Sequence, residues 1–433
     1  MTQNENKQAE WHARTPVEEQ TAHPRPPSRE EQGKKDFVPY LISWNLTQRC
    51  NLRCKHCYIN AFTAMPGELS TDEALRVLDG IAEVGPGALL ILSGGEPLLR
   101  PDLDVLVAGA AERGMTVVLG TNGTLLTLER ARALAERGLS GVGISLDSLV
   151  ASRHDTFRGL EGAWSATIQS IHAAHQAGLD VQIQMTLTRQ NLPELTQFLR
   201  FSREAGVRVL TVFFLVCTGR GEALVDLTPE EYERVLQRLV QVEPEGVMVR
   251  PRCAPTFRRI LAQQKPDSLL LRSDAGRCLA GKNYCRITPD GDLTPCPYLP
   301  LVAGSLRKHS FGVLWRTAPL FQALRNPALQ GRCGQCEYRE LCGGCRARAF
   351  ASHNDPLAED PWCTHVPGTE TPQSSAPETT VLWTAEAEAR MEKAPLFVRR
   401  MVRSAVEAFA RREGFATVTP ELLDRARLKM LKP

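Results

Sequence analysis

Three cysteines stand close together in the stretch NLTQRCNLRCKHCYINA, which spans residues 45–61. Cys50, Cys54 and Cys57 are separated by three and by two residues. A structural zinc site needs four protein ligands, and so does a closed iron–sulfur cluster. Three cysteines can instead ligate three irons of a cubic cluster and leave the fourth iron open, which is typical of a catalytic metal centre. A zinc knuckle that lacks one ligand is the alternative.

Eight further cysteines form a second group in the C-terminal half of the chain. They are Cys278, Cys285, Cys296, Cys333, Cys336, Cys342, Cys345 and Cys363. Eight thiolates suffice for two fully ligated 4Fe–4S clusters or for two structural zinc ions. Cys217 and Cys253 have no partner at metal-binding spacing, so both are expected to be buried apolar thiols, although Cys253 could also face the pocket or ligate a cluster.

Six β-prone runs alternate with amphipathic helical patterns and must position these cysteines. The runs span residues 39–47, 88–94, 115–121, 141–147, 181–188 and 207–216. Capping boxes at Ser70 with Glu73 and at Thr228 with Glu231 predict two helix starts. The alternation predicts an α/β fold with a buried parallel sheet, either open, closed as a barrel, or curled into a partial barrel.

Polar or glycine-rich signatures follow four consecutive strands. These signatures are the cysteine triplet, the stretch 93–97 (Ser-Gly-Gly-Glu-Pro), the stretch 121–123 (Thr-Asn-Gly), and Ser145 with Asp147. The carboxyl ends of parallel strands meet at one edge of a sheet, where active sites of α/β proteins form. The sequence therefore predicts one pocket at this edge.

Two motifs together resemble the radical SAM enzymes: the cysteine triplet followed by Tyr58, and Gly94-Gly95-Glu96-Pro97 at the end of the second strand. The resemblance implies a partial (β/α)6 barrel in which the amino and carboxylate groups of S-adenosylmethionine chelate the fourth iron of a 4Fe–4S cluster. The catalytic ligands would be Cys50, Cys54 and Cys57, whereas His56 between them is not expected to be a ligand.

The same resemblance implies which residues contact S-adenosylmethionine. They are Tyr58, Gly94, Gly95, Glu96, Pro97, Asn122, Ser145, Asp147 and Arg158. The glycines and Glu96 suit the methionine ammonium, because glycine allows close approach and an acid pairs with the charge. Ser145 and Asp147 resemble the ribose site, and Arg158 resembles the arginine that meets the methionine carboxylate. Gln184 and the stretch 121–123 would line the pocket.

The second cysteine group resembles the SPASM extension of radical SAM enzymes, which holds auxiliary clusters. Carried over by order, the nearer cluster would be held by Cys278, Cys285, Cys296 and Cys345. The farther cluster would be held by Cys333, Cys336, Cys342 and Cys363. Between Cys342 and Cys345 this chain has two residues, where the family often has three. This difference bears on how the eight cysteines divide between the two clusters. Structural zinc remains the alternative, but radical chemistry favours iron–sulfur clusters, because it needs a place to put or fetch electrons.

Several stretches resemble the branch that modifies iron porphyrin side chains on the way to heme b or heme d1. These stretches are 253–259, 281–285, 295–299 and 342–349. Residues 383–430 resemble the small C-terminal domain of the light-independent protochlorophyllide reductase, through Trp383, the stretch 395–399, and Glu407 with Ala410. Arg399, Arg400 and Arg403 are candidate partners of porphyrin carboxylates, and a generic helical hairpin is the alternative.

The reaction implied by this branch is reductive cleavage of S-adenosylmethionine and removal of hydrogen from a propionate-type side chain. Loss of carbon dioxide and of one electron through the auxiliary clusters would leave a vinyl group, and removal of a propionate or acetate arm is the sister reaction. A ferredoxin or flavodoxin is the implied electron donor. A peptide or protein maturase of the SPASM type and an iron–sulfur electron carrier or scaffold are the alternative functions.

Length, composition and charge exclude other classes of protein. With 433 residues, 42% hydrophobic residues and a formal net charge of +3, the chain reads as globular, with no nucleic-acid or membrane partner expected. No apolar run approaches a membrane span and the N-terminus lacks a signal peptide, so a cytoplasmic location is expected. The expected units are a disordered tail (1–36), the barrel (37–250), the auxiliary cluster domain (251–365), a linker (366–380) and a helical domain (381–433).

Overall fold

The computed structural model describes residues 37–224, 227–242, 247–272, 276–368, 381–392 and 396–431. The expected tail (1–36) and most of the expected linker (366–380) lie outside the described residues.

Ten strands form one sheet. They are β1 (Leu41–Asn45), β2 (Leu89–Ser93), β3 (Thr116–Thr121), β4 (Leu139–Ser145), β5 (Asp180–Leu187), β6 (Val209–Phe214), β7 (Met248–Arg252), β8 (Tyr284–Ile287), β9 (Asp292–Thr294) and β10 (Gly304–Ser305). Their spatial order is β10-β9-β8-β1-β2-β3-β4-β5-β6-β7. Neighbours from β8 through β1 to β7 are parallel, whereas β9 and β10 are antiparallel additions at one edge.

The six strands expected from the sequence are confirmed as β1–β6, and the parallel α/β architecture is confirmed with them. Two further parallel strands flank them, with β7 against β6 and β8 against β1. Within the described residues no ladder joins β7 to β8, so the sheet stays open there. Strand β7 also runs across the expected domain boundary at residue 250.

Helices follow the strands as in repeated βα units. Those that accompany the parallel strands are α1 (Thr71–Val84), α2 (Leu103–Glu112), α3 (Leu128–Glu136), α4 (Ala151–Arg158), α5 (Ala163–Gln176), α6 (Leu195–Glu204), α7 (Pro229–Gln241) and α8 (Thr256–Gln264). Both expected capping boxes are confirmed, since Ser70 and Thr228 accept the amide N–H of Glu73 and Glu231, respectively. Each box satisfies two backbone donors that a helix start would otherwise leave unpaired.

The two faces of the sheet differ in burial. Side chains of one face, such as Ile42, Leu90, Ile183 and Val212, are fully buried against the helices and form the main hydrophobic core. Alternate residues on the same strands face the concave interior and are more polar. This alternation departs from the continuous apolar runs of a doubly covered parallel sheet, because only one face of this sheet is sealed by helices.

The cysteine-rich extension and the C-terminal unit complete the chain. The remaining helices are α9 (Phe311–Thr317), α10 (Pro319–Arg325), α11 (Gly331–Gln335), α12 (Arg346–His353), α13 (Ala385–Glu392), α14 (Leu396–Arg412) and α15 (Pro420–Leu431). Short strands β11 (Leu382–Trp383) and β12 (Thr417–Val418) pair in the C-terminal unit, which has its own small core around Phe409. In the described part of the chain, no helix is both long enough and apolar enough to cross a membrane.

Candidate active site

The cysteine triplet lies in the loop that follows β1, and each of its three sulfurs accepts a hydrogen bond. The amide N–H of Leu52 donates to Cys50 Sγ at 3.4 Å, and the amide N–H of Ala61 donates to Cys57 Sγ at 3.3 Å. The Arg158 guanidinium donates to Cys54 Sγ at 3.7 Å. Such donors stabilise thiolates that ligate iron and tune the cluster. The loop therefore presents three sulfurs that each already accept a hydrogen bond.

The spacing of the sulfurs bears on the choice between zinc and an iron–sulfur cluster. Among the described cysteines, no three sulfurs all lie within 4.8 Å of one another. Three thiolates on one zinc ion would be ~4 Å apart, because each Zn–S bond is about 2.3 Å long. Thiolates that each bind a different iron of a cubic cluster stand farther apart. In the described part of the chain, no three cysteine sulfurs are therefore arranged as ligands of one zinc ion, although Cys336 lies close to the side chains of Glu337 and His365.

The glycines at the end of β2 allow the backbone to pack against the cysteine loop. The amide N–H of Gly95 donates to Thr47 O at 2.7 Å, and that of Glu96 donates to Arg49 O at 2.8 Å. A Cβ at Gly94 would lie 2.4 Å from Thr47 O, and a Cβ at Gly95 would lie 2.2 Å from Arg49 O. Both contacts are shorter than any real Cβ contact. These glycines allow the close backbone packing that holds the cysteine loop in place.

The Glu96 carboxylate is fully buried and connects the ends of β2 and β3. It accepts hydrogen bonds from the Thr121 hydroxyl at 2.8 Å, the Asn122 amide at 2.9 Å and the Leu98 amide at 3.1 Å. Burial raises the pKa of Glu96 to about 7, and these donors oppose that shift. Its implied role toward the methionine ammonium stays a prediction.

Asp147 and Arg158 form a buried ion pair next to the triplet. Their side chains meet at 2.6 Å, and Asp147 Oδ1 also accepts the Thr186 amide N–H at 2.7 Å. Burial pushes the pKa of Asp147 upward, but Arg158 and nearby histidines outweigh it, so the net pKa lies below the usual range. The pair neutralises its own charges and steers one guanidinium N–H onto Cys54. The ribose and methionine carboxylate roles of these two residues stay predictions.

The other implied ligand contacts also lie around the loop. The Tyr58 hydroxyl accepts a hydrogen bond from Asn45 Nδ2 at 2.9 Å, and its ring lies 5.1 Å from the ring of Tyr298. The Asn122 side chain donates to Asn51 Oδ1 at 2.9 Å, which ties β3 to the cysteine loop. Pro97 begins a 3-10 turn and is buried. His56 stacks on the ring of Phe157 at 4.6 Å.

Two residues that the sequence analysis did not single out hold the cysteine loop. Arg220 donates to Cys54 O at 2.8 Å and to Ala61 O at 3.2 Å. The Glu68 carboxylate accepts the amide N–H groups of Gln48 and Met65 at 2.8 and 2.9 Å. Arg220 lies in a Gly-Arg-Gly stretch soon after β6, so the rule that polar and glycine-rich signatures follow strands could have found it.

The concave face of the sheet leads away from the triplet as a polar surface. In the strand register Ser145, Gln184, Thr211 and Arg250 form one row across β4 to β7. Arg252 lies two residues beyond Arg250 and therefore on the same face. Burial and the neighbouring Arg252 lower the pKa of Arg250 to about 10. Within the described residues neither arginine has a carboxylate partner, so the interior carries unneutralised positive charge.

The four cysteines assigned to the farther cluster line one cavity. They are Cys333, Cys336, Cys342 and Cys363. Three of their sulfurs accept backbone N–H groups, from Asp360 at 3.3 Å, Tyr338 at 3.4 Å and Gly344 at 3.4 Å. Convergence of four thiols on one cavity with amide donors fits a fully ligated iron–sulfur cluster.

The nearer set is only partly brought together. Burial raises the pKa of Cys296, and Cys278 and Cys345 raise it further. These three cysteines are therefore electrostatic neighbours. Cys285 is not among them: it is fully buried in the main core. Cys253, which was expected to be a buried apolar thiol, packs in the small core that contains Cys296 and Cys345.

The C-terminal arginines mostly make contacts within their own unit. Arg403 forms ion pairs with Glu388 at 2.7 Å and Glu407 at 3.2 Å, and its guanidinium lies over the Trp383 ring. Arg399 donates to the carbonyl of Glu392. The Arg400 side chain lies outside the described residues. Arg403 already has two carboxylate partners, so a porphyrin carboxylate would have to compete with them.

Three family models match separate parts of the chain. The radical SAM superfamily matches residues 44–202, and the SPASM iron–sulfur cluster-binding domain matches residues 278–346. A third model, described as the 57 kD subunit of proto-chlorophyllide reductase, matches residues 383–427. These three matches follow one another along the chain, and the expected domain boundaries stay a prediction.

Two named relatives and one solved structure are similar over most of the chain. An AdoMet-dependent heme synthase of Methanosarcina barkeri is 40% identical over 76% of this chain and 98% of its own length. A pre-heme d1 synthase of Dinoroseobacter shibae is 33% identical over 80% of this chain and 90% of its own length. The structure of Streptococcus suis SuiB bound to S-adenosylmethionine matches with a TM-score of 0.60 and 18% identity, over 76% and 78% of the two chains, which shows a shared fold.

Proposed function

We propose, from the premise that this chain belongs to the radical SAM superfamily, that it converts propionate side chains of an iron porphyrin to vinyl groups in heme biosynthesis. The higher identity to a heme synthase than to a pre-heme d1 synthase favours decarboxylation over removal of a whole arm. Each propionate loses one hydrogen atom, one carbon dioxide and one electron, and the auxiliary iron–sulfur clusters, when bound, would accept that electron.

The residues that would hold the catalytic cluster are Cys50, Cys54 and Cys57. When bound, this cluster with S-adenosylmethionine supplies a 5′-deoxyadenosyl radical that takes the hydrogen atom. The chain's share is to orient its ligands and to keep the site dry. Arg158 and two backbone amides hold the three sulfurs, and the Gly94–Glu96 backbone fixes the loop.

The observation that carries the substrate class is the pair of arginines on the concave face. Arg250 and Arg252 are half-buried and have no carboxylate partner among the described residues. A half-buried cation without a partner favours binding of an anion, and a guanidinium matches a carboxylate in a bidentate fork. A porphyrin carries several carboxylates, so one could be held here while another reacts.

The test is an anaerobic assay with reconstituted protein, S-adenosylmethionine, a low-potential reductant and iron coproporphyrin III. We expect 5′-deoxyadenosine together with stepwise loss of carbon dioxide from the porphyrin, followed by mass spectrometry. A protein electron donor of the ferredoxin or flavodoxin type should replace the chemical reductant. Cys54→Ala should abolish both products, and Arg252→Gln should raise KM for the porphyrin more than it lowers kcat.

The outcomes separate the alternatives. Formation of 5′-deoxyadenosine with an unchanged porphyrin would keep the enzyme class and refute this substrate, and siroheme-derived precursors and then peptides would be tried next. Absence of S-adenosylmethionine binding would refute the enzyme and favour an electron carrier or scaffold. Unaltered turnover in Cys54→Ala would refute the radical chemistry.

A further inference from the structure

The side of β8 on which Cys285 lies separates it from the other cysteines of the nearer set. In the parallel ladder Cys285 is paired with Ile42 and Ile287 with Trp44. All four side chains are at most 1% exposed and belong to the core between sheet and helices. Burial raises the pKa of the Cys285 thiol, and the nearby Arg325 guanidinium opposes that shift. Cys285 therefore points toward the helices.

The opposite face of β8 is the one that looks toward the other cysteines. Tyr284 and Arg286 lie on that face, where Arg286 donates to the Thr294 hydroxyl at 3.1 Å and that hydroxyl donates to the Cys296 carbonyl at 3.3 Å. Adjacent strand residues point to opposite sides of a sheet. For Cys285 to act as a ligand, β8 would have to slip by one residue in register. That slip would move the buried side chains of β8 from the core to the opposite face of the sheet.

Cys253, unlike Cys285, lies close to other cysteines of the nearer set. It directly follows β7, and its carbonyl accepts a hydrogen bond from Arg348 Nη2 at 2.8 Å. Arg348 also pairs with Asp360 at 3.1 Å, and the Asp360 carboxylate accepts the amide N–H of Cys345 at 2.8 Å. This buried chain of contacts ties the backbone of Cys253 to that of Cys345.

The packing around Cys253 also associates it with this set. Cys253 packs with Cys296, Cys345 and Tyr298 in one small core. Two cysteines of the nearer set therefore lie in the same small core as Cys253, which its spacing in the sequence left unassigned.

The backbone at Cys253 is in a conformation that its residue type disfavours. Its φ is +58°, in the left-handed region. A non-glycine residue there is strained and persists where the surroundings over-determine it, often at functional sites. Glycine would remove the strain but would also remove the sulfur.

We propose that Cys253, Cys278, Cys296 and Cys345 hold the nearer auxiliary cluster, and that Cys285 is a structural thiol of the main core. In this set Cys253, which directly follows β7, takes the place that the order of the cysteines had given to Cys285. The assignment rests on the auxiliary-cluster part of the proposed function. It also joins the cluster domain to the last strand of the barrel through one residue.

The test counts iron in the full chain in which Cys50, Cys54 and Cys57 are replaced by alanine, so that only auxiliary clusters are measured. After anaerobic reconstitution this parent should bind about eight irons, four per cluster. Cys253→Gly should lose up to about four irons or show the EPR signal of a three-iron cluster, while its apoprotein folds at least as stably as the parent. Cys285→Ala should keep the full iron content and the EPR spectrum of the reduced clusters.

The reverse pattern would overturn the assignment, and so would a Cys253→Gly variant with unchanged iron and EPR spectrum. Loss of iron in both variants would also overturn it, because Cys285 must be dispensable. Cys285→Val keeps that position apolar and filled, which prevents a cavity from causing the loss. No porphyrin is present, so a negative result here leaves the heme assignment standing, and a failed porphyrin assay leaves the cluster assignment standing.

Discussion

Removal of Arg158 should destabilise the barrel strongly, because it leaves a buried charge without its partner. Asp147 is 1% exposed and Arg158 is 7% exposed, and their side chains meet at 2.6 Å. Removal of one member of a buried ion pair costs about 3–5 kcal/mol. For a domain of this size Arg158→Ala should therefore lower Tm by roughly 6–20 °C near neutral pH.

The pH dependence of this loss tests its cause. In the parent the pKa of Asp147 lies below its usual range, because Arg158 and the histidines outweigh burial. A carboxyl with a depressed folded pKa contributes stability above its unfolded pKa and loses it as pH falls. In Arg158→Ala burial acts without its main opponent, so Asp147 should take up a proton more readily. The Tm difference between parent and variant should shrink as pH is lowered from 8 toward 5.

The assay is thermal unfolding of the metal-free chain by circular dichroism, under reducing anaerobic conditions. The control is the double variant Arg158→Ala/Asp147→Asn, in which the unpaired charge is removed. It should recover a large part of the lost Tm. A Tm change below about 2 °C for the single variant, or no recovery in the double variant, would refute the reasoning.

Three further predictions address the loop and the helices. Gly95→Ala should lose the iron of the catalytic cluster and all S-adenosylmethionine cleavage, because its Cβ would lie 2.2 Å from Arg49 O, and iron analysis checks this. Glu96 has its pKa raised by burial to about 7, so the folded state keeps a proton that the unfolded state loses, and stability should fall by about 3 kcal/mol as pH rises from about 4.5 to about 7. Glu96→Gln should remove that slope in pH-dependent unfolding, and an unchanged slope would contradict the assignment. Ser70→Ala breaks the capping box with Glu73 and should cost about 1 kcal/mol, measured as a Tm lower by ~2–4 °C.

The six inner strands could be predicted because each carries a strong local signal. Apolar β-prone runs and helix caps are properties of neighbouring residues, and both capping boxes are present as expected. Strand β7 escaped prediction because its sequence, MVRPR, holds a proline and two arginines. Proline is depleted in strands and is tolerated at a sheet edge, which is where β7 lies beside β6. Strand β8 pairs with β1 across more than two hundred residues, and no local pattern encodes that contact.

In the site, too, features set by neighbouring residues could be predicted, whereas features set by distant contacts could not. The strand-end rule located the triplet, Glu96, Asn122 and Asp147 at one edge, and the structure brings them together. Their mutual pairing could not be predicted, because an ion pair such as Asp147 with Arg158 depends on tertiary placement. The orientation of Cys285 was equally hidden, since a single step in strand register decides which face a side chain occupies.

The most direct test of the central claim follows hydrogen from substrate to cosubstrate. Iron coproporphyrin III deuterated in its propionate side chains would be turned over anaerobically with unlabelled S-adenosylmethionine, and the 5′-deoxyadenosine would be analysed by mass spectrometry. We predict deuterium in 5′-deoxyadenosine, in proportion to the carbon dioxide lost from the porphyrin. Unlabelled 5′-deoxyadenosine with an intact porphyrin would contradict the account.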